Sequence, residues 1–582
     1  MARRGEDLGG EFVRSAWVVL AIWALYGAVH LALLPLLGWD VPGPDEWTRL
    51  LQVRAWMDGQ SWWDVTQYRM NPPAGFSMHW SRLVDLPLAL AIAVLGEDWG
   101  MAVVPLVWLL PVMFALRSIM LRLGFSRVAY GFGLILLPLF PLLPGSYAPL
   151  SIDHHVPQAV LGVICAALLL SPRVWAAVAA GFFAAAWVVI SLEGLVLVAV
   201  LAGLYALRYL VEEQRLLPWF LLSLTVSAAF LSLATRPNAE LFGPFCDILR
   251  PGHIATFGIA TLVAGIVPFL PFQQNAAGRL AGLALIPLAS VPLALVVLGP
   301  CAVNPMAQLD PALAAWWHGY IAEGLPFWEQ PVSVAAMLIW TLVPIIGGYW
   351  LAGRGGGFSD GAGMPWLLLF LFTLAAWAYS LLLLRAGLIA QLLTIPFAAV
   401  MLALLLPRTR AIPSAAPRAL ATLCCFMLAT PTFASALGKP LDPLFPTPTM
   451  ARGAAAPMAE EPCDYAQLDR LEPGLLLVTM DAAPEILGKT GHTVIAASYH
   501  RNQQPMVDII AAYTGTDQDA RAIIDTYRPD YVIACQSAVD FALYRTATPE
   551  NFANTLADGK VPAWLTPVAG FDNGVLRVYR TR

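Results

Sequence analysis

Charge is what this chain has least of. Asp, Glu, Lys and Arg make up 12% of its 582 residues, about half the roughly 25% usual in soluble proteins. So few charges cannot cover a soluble surface of this size, which excludes a cytosolic globular enzyme. A hydrophobic content of 59% excludes a disordered chain. A net charge of −5 excludes a nucleic-acid binder. The seven cysteines include no CxxC, which removes zinc-ribbon and thioredoxin readings. No fixed-period repeat is visible. What remains is a polytopic α-helical membrane protein.

The few charges are unevenly placed. Residues 460–582 hold 26 of the 71 charged side chains, 16 acidic and 10 basic. That is ordinary soluble composition for a segment long enough to build its own core. The expected organisation is a transmembrane domain over 1–436, a Pro-, Ala- and Thr-rich linker over 437–459, and a soluble α/β domain over 460–582. Cys463 and Cys535 both fall in that domain, and one disulfide there fits an oxidising compartment. Cys246 and Cys301, in two polar connections, are a second candidate pair.

Apolar runs long enough to cross a bilayer cover about 15–38, 100–121, 128–144, 156–171, 174–192, 194–212, 216–234, 255–271, 280–299, 332–351, 365–384, 386–406 and 419–436, thirteen in all. With the N-terminus inside, the even connections are cytoplasmic. They carry Arg117, Arg122, Arg127, Arg173, Arg208, Arg215, Arg279, Arg354, Arg408, Arg410 and Arg418, as the positive-inside rule requires. An odd number of spans puts the soluble domain outside. Three Lys against thirty Arg, with many Ala and Pro, suggest a GC-rich bacterial genome, so that outside is the periplasm and the membrane is the bacterial inner membrane.

The outer connections hold the chemistry. The first, about 39–99, has Asp45 and Glu46 directly after the first span. Leu50, Leu51, Val53 and Trp56 then give an amphipathic helix expected at the membrane interface. Trp62, Trp63, Tyr68 and Trp80 form an aromatic belt. The second outer loop ends in Asp153-His154-His155. Asp153 and His155 point the same way in an extended segment; alternatively, Asp153 simply caps the next helix. Glu193 ends a span, Glu323 precedes the tenth, and Arg385 sits at an outer turn. Ionisable groups at membrane depth are costly and therefore functional candidates. The bland alternatives are a helix-end role for Glu193 and snorkelling for Arg385. Carboxylates with an imidazole suit a divalent metal, and a metal beside an arginine neutralises a phosphate leaving group.

PDEW at 44–47 and SIDHH at 151–155 resemble two motifs of the oligosaccharyltransferase catalytic subunit and the GT-C glycosyltransferase superfamily around it. The archaeal members write the second motif with DHH. The resemblance covers about 15–440 in organisation and implies thirteen spans with a periplasmic tail. It implies Asp45, Asp153 and His155 as metal ligands, with Asp45 alternatively the base. Glu323 in YIAEGLP is similar to a TIxE glutamate that helps hold the acceptor, and Arg385 to an arginine of the late spans that meets lipid phosphate or acceptor. His154 and Glu193 stand beside these as substrate-binding candidates. The WWDYG motif that reads the sequon in those transferases has no counterpart in 440–582, and Trp62-Trp63-Asp64 lies in the wrong loop. His500 and Arg501, in HTVIAASYHRN, are candidates to touch acceptor or phosphate, or belong to a surface loop.

The expected function is therefore a metal-assisted membrane glycosyltransferase, with Mg or Mn as cofactor. It would move a sugar or oligosaccharide from a polyprenyl-(di)phosphate donor to a glycan, lipid or protein acceptor at the outer face. The competing expectation is a transporter or flippase of a lipid-linked envelope intermediate. That reading predicts mid-span polar residues and internal repeats, whereas the ionisable residues here sit at span ends.

Overall fold

The computed structural model describes residues 14–304, 306, 309–356, 358, 362–447, 458–571 and 574–582. Arg3 and Arg4, and residues 448–457 of the expected linker, lie outside the described residues. The remainder packs as two units. The first comprises the described residues of Met1–Asp40, Ser81–Ala307 and Pro326–Phe445; the second those of Val41–Trp80, Gln308–Leu325 and Pro446–Arg582. Packing thus divides the chain differently from the expected contiguous domains: two inserted segments belong with the C-terminal part.

The first unit is helical. Among the described residues nine helices are long and apolar enough to cross a membrane, and a tenth if Ala415–Ala429 and Thr432–Leu444, bent by 93° at their junction, count as one. His155–Leu169 and Val174–Ile190 are shorter apolar helices. Each expected run is found as helix, but not each as an unbroken span. The run at 128–144 is divided into Arg127–Ile135, a 3-10 turn Leu137–Leu139 and Leu142–Ser146. Pro138, Pro141 and Pro144 remove backbone donors there and clash with the preceding turn. A helix not expected from sequence, Arg82–Leu95, follows a Ser81 cap.

Burial separates the helices by role. Every residue from Ala386 to Leu402 of Leu384–Arg410 is buried, so this helix is the post around which the unit packs. Ala276–Leu298 buries only Gly282, Ser290 and Leu298, and an apolar helix left uncovered by protein is one covered by lipid. Small residues permit close helix contact. On Val174–Ile190 the stripe Ala177, Ala180, Gly181 and Ala184 is fully buried or nearly so. A Cβ on Gly181 would come within 2.4 Å of the Phe220 carbonyl oxygen.

The second unit is built on a five-stranded mixed sheet. Its strands are β3 (Leu475–Leu477), β4 (Thr493–Val494), β5 (Tyr531–Cys535), β6 (Leu565–Pro567) and β7 (Leu576–Thr581), in the order β4-β3-β5-β7-β6. β4, β3 and β5 are parallel, while β7 runs antiparallel to β5 and β6. All five β5 residues are buried because both faces are covered. Tyr531, Ile533 and Cys535 join one core and Val532 and Ala534 the other, the alternation that a pleated strand imposes. Cys463 and Cys535 are disulfide-bonded, as are Cys246 and Cys301 in the first unit.

The 41–80 segment completes the first of these two cores. It contains the helix Pro44–Met57 and a small hairpin of β1 (Thr66–Gln67) and β2 (Phe76–Ser77). The helix does not lie on lipid through its apolar face as expected: Leu50, Leu51 and Val53 are buried, Leu51 in the core shared with β3 and β5. Trp80 also leaves the expected aromatic belt. It is buried under the Arg49 guanidinium, 4.2 Å from the ring centroid, whereas Trp63 and Tyr68 are exposed. Arg69 fastens the segment by donating to the carbonyls of Leu487, Thr490 and His492, two of which lie just beyond the helix Ala483–Lys489.

Candidate functional site

The first unit brings Asp153, His154 and His155 into one cluster. His155–Leu169 starts directly after it; its N-cap position is His154, and no side chain caps it. The capping alternative for Asp153 is therefore not what the geometry shows. Asp153 Oδ1 meets His154 Nδ1 at 2.5 Å and Oδ2 meets His155 Nε2 at 3.1 Å. One ligand atom from each of the three residues lies within 4.8 Å of the others. A carboxylate and two imidazoles form a donor set that fits a borderline divalent cation better than Mg.

His155 also lines a half-open pocket. Three apolar helices begin there, His155–Leu169, Leu192–Glu212 and Leu384–Arg410, and Gly363–Ser380 ends there. Arg385 Nη1 donates to Glu193 Oε1 at 2.8 Å inside this pocket. The Tyr379 hydroxyl donates to the Glu193 backbone oxygen at 3.2 Å. Gln158, one turn into its helix, has its side-chain amide nitrogen 3.4 Å from His155 Nδ1. Trp187 lines the same pocket, and its buried indole N–H has no acceptor among the described residues. Gly194 makes room for that ring, since a Cβ there would come within 2.6 Å of it. The pocket therefore offers a guanidinium and three helix N-termini, the chemistry of an anion site.

No protein-family model and no curated protein matches the chain. Solved structures do. The archaeal oligosaccharyltransferase AglB from Archaeoglobus fulgidus, in complex with an inhibitory peptide and a dolichol-phosphate, is similar with a TM-score of 0.63 at 15% identity, over 95% of this chain and 72% of that one. A structure of the same organism's oligosaccharyltransferase with Zn and sulfate has a TM-score of 0.56 at 15% identity, over 88% and 67%. ArnT from Cupriavidus metallidurans bound to undecaprenyl phosphate has a TM-score of 0.40 at 14% identity, over 97% and 98%. The fold is GT-C-like.

The residues expected at the site divide between the units. Asp153, His154, His155, Glu193 and Arg385 belong to the first, Asp45 and Glu323 to the second. Glu323 is half-buried in a 3-10 turn, Ala322–Gly324. Asp45 lies in the first turn of Pro44–Met57, where the helix dipole favours a carboxylate. Its Oδ1 accepts from the Tyr499 hydroxyl at 3.0 Å, and Thr48 Oγ1 lies 2.7 Å from the same hydroxyl. The next two residues after Tyr499 also approach the 41–80 segment: the His500 ring lies 4.8 Å from that of His79, and Arg501 donates to the Ser77 carbonyl.

Sequence reasoning missed Gln158, Trp187, Tyr379 and Tyr499. The signal available was positional: Trp187 and Tyr379 each stand six residues before a charged residue at a span end. It also missed a carboxyl pair in the second unit. The Asp481 N–H donates to Asp540 Oδ2 at 2.9 Å, and the Ser498 hydroxyl donates to Asp481 Oδ1 at 2.6 Å. Asp540 is buried; burial first, and the neighbouring Asp481 charge second, push its carboxyl up to about 7.

Proposed function

We propose that this protein is a metal-assisted glycosyltransferase of the bacterial inner membrane. It transfers a sugar or oligosaccharide from a polyprenyl-(di)phosphate donor to a glycan, lipid or protein acceptor at the outer face. The observation that carries this reading is the first-unit pocket: a metal-type donor set, Asp153 with His155, opens beside Arg385 where three apolar helices begin. The TM-score of 0.63 to AglB solved with a dolichol-phosphate, and the form of that enzyme with Zn and sulfate, support it.

Arg385 pairs with the lipid-linked phosphate, and the helix N-termini add positive potential without a mobile charge. The Gln158 amide, 3.4 Å from His155 Nδ1, orients that ring. Asp153 and His155, with His154 beside them, would hold a divalent cation such as Mn. A cation held by these residues would supply the positive charge that offsets the charge developing on the departing phosphate. Asp45, positioned by Tyr499, serves as general base, and Glu323 orients the acceptor. Both of these roles rest on the motif resemblance.

The test is transfer from a labelled polyprenyl-phosphate sugar by purified protein, with and without chelator, alongside Asp153→Ala. Loss of transfer on chelation, its recovery with Mn, and loss in the folded variant are expected. Undiminished turnover in Asp153→Ala overturns the metal assignment. Lipid translocation without transfer supports the flippase reading instead.

A further inference from the structure

Glu193 is held in an uneven way. Its backbone is fixed twice, by the Tyr379 hydroxyl on its carbonyl at 3.2 Å and by the Ser191 hydroxyl on its N–H at 3.4 Å. Its carboxylate has one partner among the described residues, Arg385, at 2.8 Å. The side chains are 31% and 20% exposed, so the pair faces the open pocket and is not sealed in the bundle. A carboxylate and a phosphate present the same fork of oxygens to a guanidinium. The pocket thus already contains a carboxylate seated on the arginine to which the lipid phosphate is assigned.

We propose that Glu193 is a displaceable stand-in for the lipid phosphate. It occupies Arg385 when the pocket is empty and gives way when the phosphate enters. It re-forms the pair as the polyprenyl phosphate product departs. The swing costs a single contact, because the backbone bonds stay in place while the carboxylate turns toward the pocket mouth. This inference rests on the glycosyltransferase reading above. It makes Glu193 a positioning residue that sets lipid-phosphate affinity through Arg385. A role confined to stabilising a helix N-terminus leaves that affinity unchanged.

A site whose competent form is populated only in part binds more weakly by that fraction. A partly exposed ion pair worth up to about 1 kcal/mol therefore corresponds to an affinity lowered by up to roughly fivefold. The test measures equilibrium binding of undecaprenyl phosphate to full-length protein in detergent, for wild type, Glu193→Gln, Glu193→Ala and Arg385→Ala. Removing the competing charge is expected to tighten binding roughly two- to fivefold in Glu193→Gln and Glu193→Ala, while Arg385→Ala loses it. Binding by the wild type with no gain in either Glu193 variant overturns the stand-in role alone. No binding by the wild type overturns the glycosyltransferase reading, and the stand-in role with it.

Discussion

Tyr499→Phe isolates the link between the C-terminal part of the second unit and Asp45. The ring packs edge-on to Trp80 at 5.4 Å and is stacked near Phe76 at 6.2 Å, contacts that phenylalanine keeps. What disappears is the hydroxyl between Asp45 Oδ1 and Thr48 Oγ1. A hydrogen bond to an ionised carboxylate is worth about 1.5–3 kcal/mol, equivalent to roughly ten- to hundredfold in rate if the carboxylate acts in the transition state. Asp45 has further polar contacts, so the lower end, about tenfold in kcat/KM, is expected. The assay is initial-rate transfer from a labelled polyprenyl-phosphate donor, with thermal unfolding measured on the same preparations. A fall in kcat at unchanged donor KM, with a small loss of stability, fits the positioning role. A kcat/KM within twofold of wild type refutes it.

Three further outcomes are expected. Arg69→Ala leaves three carbonyls without their charged donor, at a cost on the order of 3 kcal/mol; limited proteolysis within 41–80 should accelerate, with Arg69→Lys intermediate. Asp540 keeps its proton in the folded state up to about pH 7, whereas the unfolded chain loses it near pH 4. Stability should therefore fall as pH rises from about 4 to about 7. Denaturant titrations across that range check the slope, which Asp540→Asn should flatten. Opening Cys463–Cys535, 72 residues apart in sequence, should cost the second unit roughly 4 kcal/mol by loop entropy, read as a lower unfolding midpoint in reductant or in Cys463→Ser.

How much of this was legible beforehand differs by element. The apolar runs located the helices of the first unit because a helix in lipid satisfies its own backbone groups, so local composition suffices. The run at 128–144 failed as one span because composition counts apolar side chains and overlooks the geometry of three closely spaced prolines. The amphipathic pattern of Pro44–Met57 was real, but amphipathicity does not say what covers the apolar face. Protein covers it here, partly through Leu51. The DHH motif was visible as a motif, and its convergence on Asp153 is a local property of three consecutive residues. The ion pair between Glu193 and Arg385 joins residues 192 positions apart. Sequence placed both at span ends on one side, but it held no information that they touch.

By itself, then, the sequence determined that this is a membrane protein, where its apolar helices lie, and which scarce charges stand at their ends. Those are consequences of solvation, which acts residue by residue. Only the tertiary structure decided that 41–80 and 309–325 pack with the C-terminal sheet, that Tyr499 holds Asp45, and that Glu193 sits on Arg385. Each is a contact between residues far apart in the chain, fixed by the packing of whole elements against one another, which no local pattern encodes.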